Sequence, residues 1–300
     1  MQDNCKIAII IVNYNNALDT IECLQSLNCS SNNDFNVIVV DNNSVDIEYQ
    51  KLKEYCVNNS KITLIQSDRN GGFAYANNIG ITHVREKLPE CEYYWLLNND
   101  TKVFPDTIDK ILKFATNVSK DVGVIGNKLL FYDNPRIIQA VGGRFNKYSC
   151  RCCHIGAYEE DIGQYDKCDI RMDYVVGASM LIKKQFIESV GLMTEDYFLY
   201  FEELDWIERG KRLGWRIAYN CEANVLHKEG GSTHSREKIS IEIGRIQLRS
   251  RILFMKRFYP QFLFCSIWPM LLMIGKYLVK GEVDYSLSLI RTFVKTMLYE

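Results

Sequence analysis

Residues 6–13 read Lys-Ile-Ala-Ile-Ile-Ile-Val-Asn, in which six consecutive apolar residues end on an asparagine. The run is rich in isoleucine and does not alternate with polar residues, which is typical of a β-strand buried on both faces. Residues 17–27 follow with apolar side chains at helical spacing. A buried strand followed by a helix predicts the first unit of a parallel sheet, and hence an α/β fold.

The same order of strand and helix repeats through the first half of the chain. Apolar runs predict further strands over residues 35–41, 61–66, 93–97 and 122–125. Helical spacing predicts helices that end near residues 55, 87 and 116. Ligands bind at the carboxyl ends of the strands in such sheets. The strand ends are rich in Asn, Asp and Gly, at residues 13–16, 41–44, 68–72 and 98–101.

The second half is less regular. Residues 173–182 have the composition of a strand, and residues 202–213 predict a helix whose acidic start and basic end suit the helix dipole. Short strands are predicted at 215–219 and 224–227, and a long amphipathic helix at 239–258. We find no internal repeat and no flexible linker, so we expect one compact unit.

Composition is that of a globular protein. The 300-residue chain is 47% hydrophobic and 24% charged, which excludes disorder or low complexity as its main state. The net charge of −1 gives no sign of a nucleic-acid binder. That total conceals an asymmetry, because residues 228–300 hold 12 of the 36 basic residues but only 6 of the 37 acidic ones. The tail is therefore basic and the body acidic.

Eleven cysteines are scattered along the chain without the spacing of a disulfide framework, and residues 1–6 do not resemble a signal peptide. These features predict a reducing, cytoplasmic location. The one cluster runs from Cys150 to His154. We expect a reduced loop or hairpin there, with a zinc site as the alternative.

Polar residues at the predicted strand ends suit a nucleotide site. Asp100 can hold a divalent cation through oxygen, or else close a turn or cap a helix. Asp41 can accept hydrogen bonds from a base or ribose, unless its segment forms a helix N-cap. Residues 70–72, Asn-Gly-Gly, let the backbone approach a diphosphate near a helix N-terminus. They do not form a GxGxxG motif and they follow the third strand instead of the first, which disfavours a nicotinamide dinucleotide fold. The sequence also contains no Walker motif.

A second acidic group, Glu202, Glu203 and Asp205, stands at the start of a predicted helix. A general base has to be a carboxylate with restricted solvation near the proton that it removes. The alternative is the ordinary acidic bias of a first helical turn. His227 follows a predicted strand, where it either binds a metal or is a hydrogen-bonded structural residue.

Taken in order, these segments resemble family 2 glycosyltransferases, and in particular the bacterial rhamnosyltransferase-like branch of that family. The resemblance spans about residues 7–232. The matching strings are Ile11-Val12-Asn13-Tyr14-Asn15, Val40-Asp41-Asn42-Asn43-Ser44, Asn70-Gly71-Gly72-Phe73-Ala74 with Asn78 and Gly80, Leu97-Asn98-Asn99-Asp100, Gly177-Ala178-Ser179, Phe198-Leu199-Tyr200-Phe201-Glu202-Glu203-Leu204-Asp205, and His227 with Gly230-Gly231-Ser232.

The resemblance implies a GT-A fold, with a Rossmann-like, mostly parallel sheet flanked by helices. It implies a catalytic domain over residues 1–235, in which 1–101 form the nucleotide-sugar-binding half and 102–235 the acceptor and catalytic half. A basic and apolar helical extension follows over 236–300. The implied activity is the inverting, metal-dependent transfer of a sugar from a nucleoside diphosphate to a glycan hydroxyl.

The resemblance also implies roles for individual residues. Asp41 would bind the base or ribose, and the loop at 70–72 would lie along the ribose and diphosphate. The full set of implied donor-binding residues is Asn13, Tyr14, Asn15, Asp41, Asn43, Asn70, Gly72, Asn78, Asn98 and Asn99. The implied acceptor-binding residues are Gly177, Ala178, Ser179 and Trp206.

By the same resemblance, Mg²⁺ or Mn²⁺ would be held by Asp100, the last residue of the family's DxD-type motif, with His227 as a further ligand. Asn98 stands in the first position of that motif, which leaves it one carboxylate. Glu203 matches the Asp of the family's Glu-Asp pair and would be the general base. Glu202 and Asp205 are the alternatives.

Residues 258–275 contain no charged residue and are interrupted by prolines, with basic residues on both sides. We expect this segment to lie on the anionic inner face of the plasma membrane, which would suit a lipid-linked acceptor. A buried core or dimer helix and a true membrane span are the alternatives. A homodimer is therefore one of the expected assemblies.

The predicted function is sugar transfer in surface polysaccharide biosynthesis, such as that of O-antigen or capsule, with dTDP-rhamnose or a UDP-sugar as donor. Two alternatives come from other classes of protein. A sugar nucleotidyltransferase would want a Gly-rich loop with Lys or Arg after the first strand, and residues 13–17 lack one. The other alternative is a non-catalytic nucleotide-sugar-binding protein.

Overall fold

The computed structural model describes residues 6–228 and 241–299. The strands are β1 (Ile7–Asn13), β2 (Phe35–Asp41), β3 (Ile62–Gln66), β4 (Tyr93–Asn98), β5 (Thr101–Val103), β6 (Val122–Phe131), β7 (Ile138–Ala140), β8 (Gly143–Asn146), β9 (Arg151–His154), β10 (Ser179–Lys183) and β11 (Arg216–His227). The helices are α1 (Ala17–Asn28), α2 (Asp46–Cys56), α3 (Gly72–Lys87), α4 (Thr107–Asn117), α5 (Lys184–Val190), α6 (Glu202–Arg212), α7 (Ile241–Phe258), α8 (Leu263–Val279) and α9 (Val283–Tyr299).

The central sheet has the strand order β3-β2-β1-β4-β10-β6-β11-β5, with β7 beside β6. The first four strands of the chain pair in parallel, as their non-alternating apolar sequences predict. Register places Asn13 beside Asp41, and Asp41 beside Gln66. The carboxyl ends of these strands therefore lie along one edge, where the predicted ligand-binding segments meet.

Alternate residues of the strands face two hydrophobic layers, one on each side of the sheet. In β1, Ala8 and Ile10 belong to one layer, and Ile9 and Ile11 to the other. All four side chains are fully buried. A strand enclosed on both faces explains why the first apolar run of the chain carries no polar alternation.

Two parts of the sheet differ from the sequence expectation. The strand expected over 173–182 is confined to β10, which is antiparallel and lies between β4 and β6. The two short strands expected near the end of the body are one strand, β11, with a register shift between Asn220 and Asn224. A single-sequence pattern cannot distinguish a bulge inside a strand from a loop between strands, because both interrupt the periodicity.

The helices α7, α8 and α9 form a small core of their own, in which Leu248, Ile274 and Leu289 are buried. The end of α7 also joins the main core, since Phe254 packs against Phe201 with ring centroids 5.4 Å apart. The expected domain boundary at residue 235 lies outside the described residues and stays a prediction.

One helical stretch of the described residues, Pro260–Val279, is long and apolar enough to cross a membrane by length and composition alone. Only 12% of it is buried in the structure, so the alternative of a buried core helix is wrong. Its exposed side chains include Phe264, Trp268 and Leu272. The inner face of α8 packs on α7 and α9 through Met270 and Ile274.

The cysteine cluster lies on a hairpin, because β9 pairs antiparallel with β8. Within 6–228 and 241–299, no group of three or more His, Cys, Asp or Glu side chains is arranged to hold a metal. The zinc alternative at this hairpin is therefore not supported. Cys168 and Cys221, which are 53 residues apart, form a disulfide. The cysteine spacing gave no indication of this bond.

Candidate functional site

The carboxyl ends of β1 and β2 meet in a buried cluster of polar side chains. Asn13 Nδ2 donates to Asp41 Oδ1 at 2.7 Å. Asp41 also accepts two hydrogen bonds from Ser44, one from the hydroxyl at 2.6 Å and one from the backbone nitrogen of Ser44 at 3.0 Å. The hydroxyl of Thr20 donates to Asn13 Oδ1 at 2.8 Å. Both oxygens of the buried Asp41 carboxylate thus bind protein donors, which fixes the turn after β2.

Three of the predicted donor-binding side chains, those of Tyr14, Asn15 and Asn43, are exposed at this edge. Asn15 and Asn43 have φ angles of 52° and 63°. Asparagine tolerates this left-handed conformation better than most residues. Asn15 Oδ1 accepts a hydrogen bond from the backbone nitrogen of Val45. Val45 is also the N-cap residue of α2, without a side-chain cap, so the alternative of a side-chain N-cap here is wrong.

The loop at 67–72 is tied to the same edge. Asn42 Nδ2 donates to Asn70 Oδ1 at 2.9 Å and to the carbonyl of Gly72 at 3.2 Å. Gly72 has a φ of +89°, and a Cβ there would lie 2.0 Å from the Phe198 carbonyl oxygen. That carbonyl accepts a hydrogen bond from the backbone nitrogen of Phe73. The loop predicted to lie along the diphosphate therefore contacts the segment that leads into α6.

Two predicted donor-binding residues are engaged elsewhere. Asn78 is buried in α3, where its amide donates to the carbonyl of Met193 at 2.9 Å and accepts from its backbone nitrogen at 3.1 Å. Asn99 is buried too, and its Nδ2 donates to the hydroxyl of Thr20. Because these amides bind the protein itself, the structure assigns them to holding loops in place instead of to contact with a donor.

Asp100 and His227 meet where β4 and β11 end. His227 Nε2 lies 3.1 Å from Asp100 Oδ1 and 3.4 Å from the side-chain nitrogen of Asn98. On the other side of the ring, Nδ1 lies 2.7 Å from Gln139 Oε1, an acceptor for its proton. In the tautomer with its proton on Nδ1, the ring donates to Gln139 and Nε2 keeps a lone pair that a cation can bind. Gly230, Gly231 and Ser232, which complete the matched string, lie outside the described residues.

A carboxylate oxygen and an imidazole nitrogen that lie side by side are a donor set that fits a divalent cation. Asp100 and His227 are both largely buried, with side-chain exposures of 7% and 12%. The protein thus supplies two ligand atoms here, Asp100 Oδ1 and His227 Nε2. This pair fits a cation that takes its remaining ligands from a diphosphate and water.

Glu202 and Glu203 are adjacent carboxylates at the start of α6. The Oε2 atom of each is buried without a hydrogen-bond partner in the described part of the chain. Burial raises the pKa of Glu203 to about 7. Burial and then the charge of Glu203 raise the pKa of Glu202 well above its usual range. One of the two carboxyls is therefore poised to exchange a proton near neutral pH.

The backbone that presents this pair is unusual. Tyr200 and Phe201, which immediately precede it, have φ angles of 67° and 73°. Bulky residues in the left-handed region cost about 1–2 kcal/mol each. Such strain persists only where surrounding contacts enforce it, and Phe201 packs in the core against Phe145 and Phe254. The strained turn sets the direction in which α6 begins.

Asp205 does not share the environment of the two glutamates. Its buried carboxylate accepts from Arg209 at 2.8 Å, from Arg257 at 2.7 Å and from the hydroxyl of Tyr197 at 3.0 Å. Both oxygens of this carboxylate are occupied by donors from the protein itself, so neither is directed at a substrate. The prediction of Asp205 as an alternative base is therefore wrong. Through its ion pair with Arg257, Asp205 connects α6 to α7 instead.

Among the predicted acceptor-binding residues, Trp206 is fully buried and its Nε1 donates to the carbonyl of Gly191, so it belongs to the core. Ser179 is also buried, where its hydroxyl accepts from Trp95 and Asn127. Both predictions are corrected, since neither side chain reaches a surface. Ala178 is buried as well, and its carbonyl accepts from the backbone nitrogen of Asn98.

Gly177 is half-buried beside the ring of Phe73, and a Cβ there would lie 3.8 Å from that ring. Gly177 is the residue of the segment 177–179 that is partly exposed, since Ala178 and Ser179 are buried. Its neighbour Phe73 lies in the first turn of α3, where its backbone nitrogen donates to the Phe198 carbonyl in the segment that leads into α6. An acceptor role for Gly177 stays a prediction.

A cavity of about 360 Å³ opens beside Glu203. Its lining includes Cys152 and His154 of the hairpin cluster on β9, together with Tyr174 and with Arg251 from α7. The sequence pattern gives Tyr174 and Arg251 no role at this site, because their segments meet β9 only in the folded chain. The odd hairpin cysteines were the one local signal in this part of the site.

The model of the family described as "Glycosyl transferase family 2" matches residues 8–184 of the chain. A curated relative is the low-salt glycan biosynthesis hexosyltransferase Agl10 of Haloferax volcanii, 24% identical over 74% of this chain and 67% of its own length. The N-acetylglucosaminyl-diphospho-decaprenol L-rhamnosyltransferase of Mycobacterium tuberculosis is 24% identical over 75% of this chain and 76% of its own. The dTDP-rhamnosyl transferase RfbF of Shigella flexneri is 23% identical over 76% and 70%.

Solved structures share the fold at low sequence identity. The mannosyltransferase PcManGT of Pyrobaculum calidifontis, in complex with GDP-Man and Mn²⁺, aligns with a TM-score of 0.58 and 13% identity over 98% of this chain and 87% of its own. S. aureus TarS 1-349 in complex with UDP-GlcNAc aligns with a TM-score of 0.59 and 15% sequence identity, over 97% of this chain and 81% of its own. The predicted GT-A fold with C-terminal helices and the predicted resemblance to rhamnosyltransferases are confirmed.

Proposed function

The chain belongs to glycosyl transferase family 2, and we propose that it transfers a sugar with inversion from a nucleoside diphosphate to a hydroxyl of a lipid-linked glycan. The proposed donor is dTDP-rhamnose or a UDP-sugar. The rhamnosyl and hexosyl transferases among its relatives support this class of donor. Surface polysaccharide synthesis, as of O-antigen or capsule, is the proposed process.

The observation that carries the proposal is the buried glutamate pair beside the cavity. An acceptor alcohol is a poor nucleophile at neutral pH, so a carboxylate has to remove its proton during attack. The raised pKa of Glu203, about 7, makes it a stronger base than an ordinary glutamate while still partly ionised at pH 7. Glu203 also lines the cavity, where an acceptor hydroxyl can reach it. We therefore assign Glu203 as the base, with its proton affinity raised by burial.

The donor half of the site is proposed at the ends of β1, β2 and β4. Tyr14, Asn15 and Asn43 present exposed polar edges for the base and ribose, over a floor fixed by Asp41. Asp100 and His227 would hold Mg²⁺ or Mn²⁺. When bound, such a cation stabilises the negative charge that develops on a departing diphosphate.

The proposed reaction is a single displacement. Glu203 takes the proton of the acceptor hydroxyl, whose oxygen forms a bond to the anomeric carbon as the bond from that carbon to the diphosphate breaks. Attack from the face opposite the diphosphate inverts the anomeric centre. Holding both substrates in line supplies much of the acceleration, and the contact between Gly72 and Phe198 couples the donor loop to the start of α6.

We place the enzyme in the cytoplasm, at the inner face of the plasma membrane, through the outer face of α8. Phe264 and Trp268 are 82% and 66% exposed on that helix. Lys276 and Lys280 stand at its far end, which suits an anionic surface. A second copy covering the same face would make a homodimer. Equal binding to anionic liposomes by the full chain and by a chain ending near residue 236 would exclude the membrane proposal.

The test is a panel of nucleotide sugars with Mn²⁺ or with a chelator, read by donor binding and donor hydrolysis. We expect one donor to bind and be cleaved only with the cation, and Asp100→Ala to lose both responses. Asp121→Ala is the matched control, because Asp121 is an exposed partner of Arg216 remote from the strand ends. Cation-independent turnover would contradict the metal assignment. Binding without turnover would favour a non-catalytic protein, and release of pyrophosphate from a sugar phosphate and a nucleoside triphosphate would favour a nucleotidyltransferase.

A further inference from the structure

Arg251 extends from α7 into the cavity that contains Glu203. Its Nε atom is buried and has no hydrogen-bond partner among the residues described. Burial lowers the pKa of Arg251, and the neighbouring positive charge of Arg151, which lines the same cavity, adds to that effect. Two guanidinium groups are thus held near each other at a partly enclosed site.

Other arginines nearby are neutralised. Arg209 and Arg257 both pair with the buried carboxylate of Asp205. In the described part of the chain, no carboxylate forms an ion pair with Arg251. Since arginine stays protonated in proteins and a buried charge without a partner is unfavourable, a counter-charge supplied by a ligand would complete this site.

Arg251 lies in the same cavity as Glu203, the proposed base, and this position indicates which ligand could supply the negative charge that pairs with its guanidinium. Cys152, Glu203 and Arg251 line the same cavity. Burial raises the pKa of the Cys152 thiol, the carboxylate of Glu203 adds to the rise, and the guanidinium of Arg251 opposes it. The diphosphate of the donor has its own proposed site at Asp100 and His227. An anion at Arg251 would therefore belong to the acceptor, which has to reach Glu203.

The surroundings suit a lipid-linked anion. The cavity also has aromatic and apolar walls, including Tyr174, Phe201 and Leu204. The helix that carries Arg251 continues through a short turn at Pro260–Phe262 into α8, whose outer face is apolar and exposed. The element that follows α7 thus offers an apolar surface for a lipid, while α7 itself carries the charge for the anion.

We propose that Arg251, with Arg151 beside it, binds the phosphate oxygens of a lipid-linked acceptor and so presents the acceptor sugar to Glu203. Guanidinium groups bind phosphate through paired charge-assisted hydrogen bonds. The assignment rests on the proposed function in that Glu203 is taken as the base. The anion site itself can be tested without any sugar transfer.

The binding test uses decyl diphosphate below its micelle concentration, titrated calorimetrically into the full chain with EDTA present. We expect Arg251→Gln to weaken binding by about tenfold or more, and Arg251→Lys by less, because lysine keeps the charge but not the fork of donors. Asp100→Ala should bind as the wild type does, since the donor site is not involved. Arg245→Gln is the matched control on α7, where Arg245 donates to Thr292 outside this cavity.

Two further ligands distinguish a lipid-linked acceptor from a free anion. Inorganic pyrophosphate should bind about tenfold more weakly than decyl diphosphate, because it lacks the apolar contact. Decyl maltoside should bind wild type and Arg251→Gln equally. Equal affinity for the two diphosphates would assign the site to a free anion and overturn the acceptor proposal, as would unchanged decyl diphosphate binding in Arg251→Gln. Thermal melting of each variant checks that it is folded.

Kinetics separate this inference from the proposed function. If transfer to a diphosphate-linked acceptor is detected, Arg251→Gln should raise the KM for that acceptor more than the KM for the donor. A chain that transfers no sugar, yet binds decyl diphosphate through Arg251, would overturn the proposed function and retain the anion site. A raised KM for the donor with an unchanged KM for the acceptor would overturn the acceptor assignment.

Discussion

Two buried polar clusters lie in the same molecule and are built in opposite ways. At the ends of β1 and β2, Asn13 and Asp41 satisfy each other with help from Thr20 and Ser44. At the start of α6, Glu202 and Glu203 each keep one buried carboxylate oxygen without a partner among the residues described. A satisfied cluster fixes geometry, whereas an unsatisfied one stores the capacity to bind or to exchange a proton.

Backbone conformation follows the same division. The left-handed positions near the first cluster are filled by Asn15 and Asn43, which adopt them at low cost. Those before the second cluster are filled by Tyr200 and Phe201, which do not. The first region therefore follows local sequence preferences, while the second is imposed by tertiary packing.

The largest effect is expected at the unsatisfied cluster. Glu203→Gln should lower kcat by about 10²–10⁴, the usual contribution of a general base, and leave donor affinity unchanged. In the wild type, kcat should rise with pH through about 7, as the carboxyl loses its proton. The measurement is a pH–rate profile with donor binding in parallel. Glu188→Gln, on the exposed surface of α5, is the control. A variant with wild-type turnover would remove Glu203 as the base.

Asp205 provides the next contrast, because it lies two residues further on but is fully paired. Asp205→Asn should cost about 3 kcal/mol of unfolding free energy, since two guanidinium groups lose their carboxylate. Urea unfolding measures this loss. Asp196→Asn removes the exposed partner of Arg257 and should cost less. If the two substitutions were equally mild, the link between α6 and α7 would not depend on Asp205.

Whether a hydrogen-bonded pair can be predicted from the sequence depends on how far apart its two residues lie along the chain. Asn13 and Asp41 end neighbouring parallel strands, so the repeat of strand and helix brings them together. Arg257 reaches Asp205 over 52 residues, and Asn78 reaches Met193 over 115. No periodic pattern encodes such pairs. Polar residues at the first strand ends were therefore found, whereas Arg251 and the paired state of Asp205 were not.

At the satisfied cluster the effect should be thermodynamic and smaller. Asn13→Ala removes the hydrogen bonds that Asn13 makes to Asp41 and to Thr20, while both partners keep other hydrogen bonds. The loss of two buried hydrogen bonds should cost about 1–3 kcal/mol. Denaturant unfolding should show that loss. Asn58→Ala, in an exposed loop, should stay within about 0.5 kcal/mol of wild type. A loss at Asn13 no larger than at Asn58 would mean that the cluster does not fix this edge.

The last effect is the pH dependence of the stability of Glu203→Gln. Folding raises the pKa of Glu203 from 4.5 to about 7, so between these values the folded chain binds more protons than the unfolded chain. The stabilising contribution of the carboxyl is therefore complete below pH 4.5 and is lost as pH rises through 7. Glutamine stays neutral throughout. Near pH 5 the two chains should melt at similar temperatures, whereas at pH 8 the variant should melt at a higher temperature, by roughly 2–4 °C for each kcal/mol that the ionised carboxylate costs. Thermal melting at both pH values is the measurement, with Glu188→Gln as the control. A difference independent of pH would mean that Glu203 is solvated, and the contrast between the two clusters would then fail at its central residue.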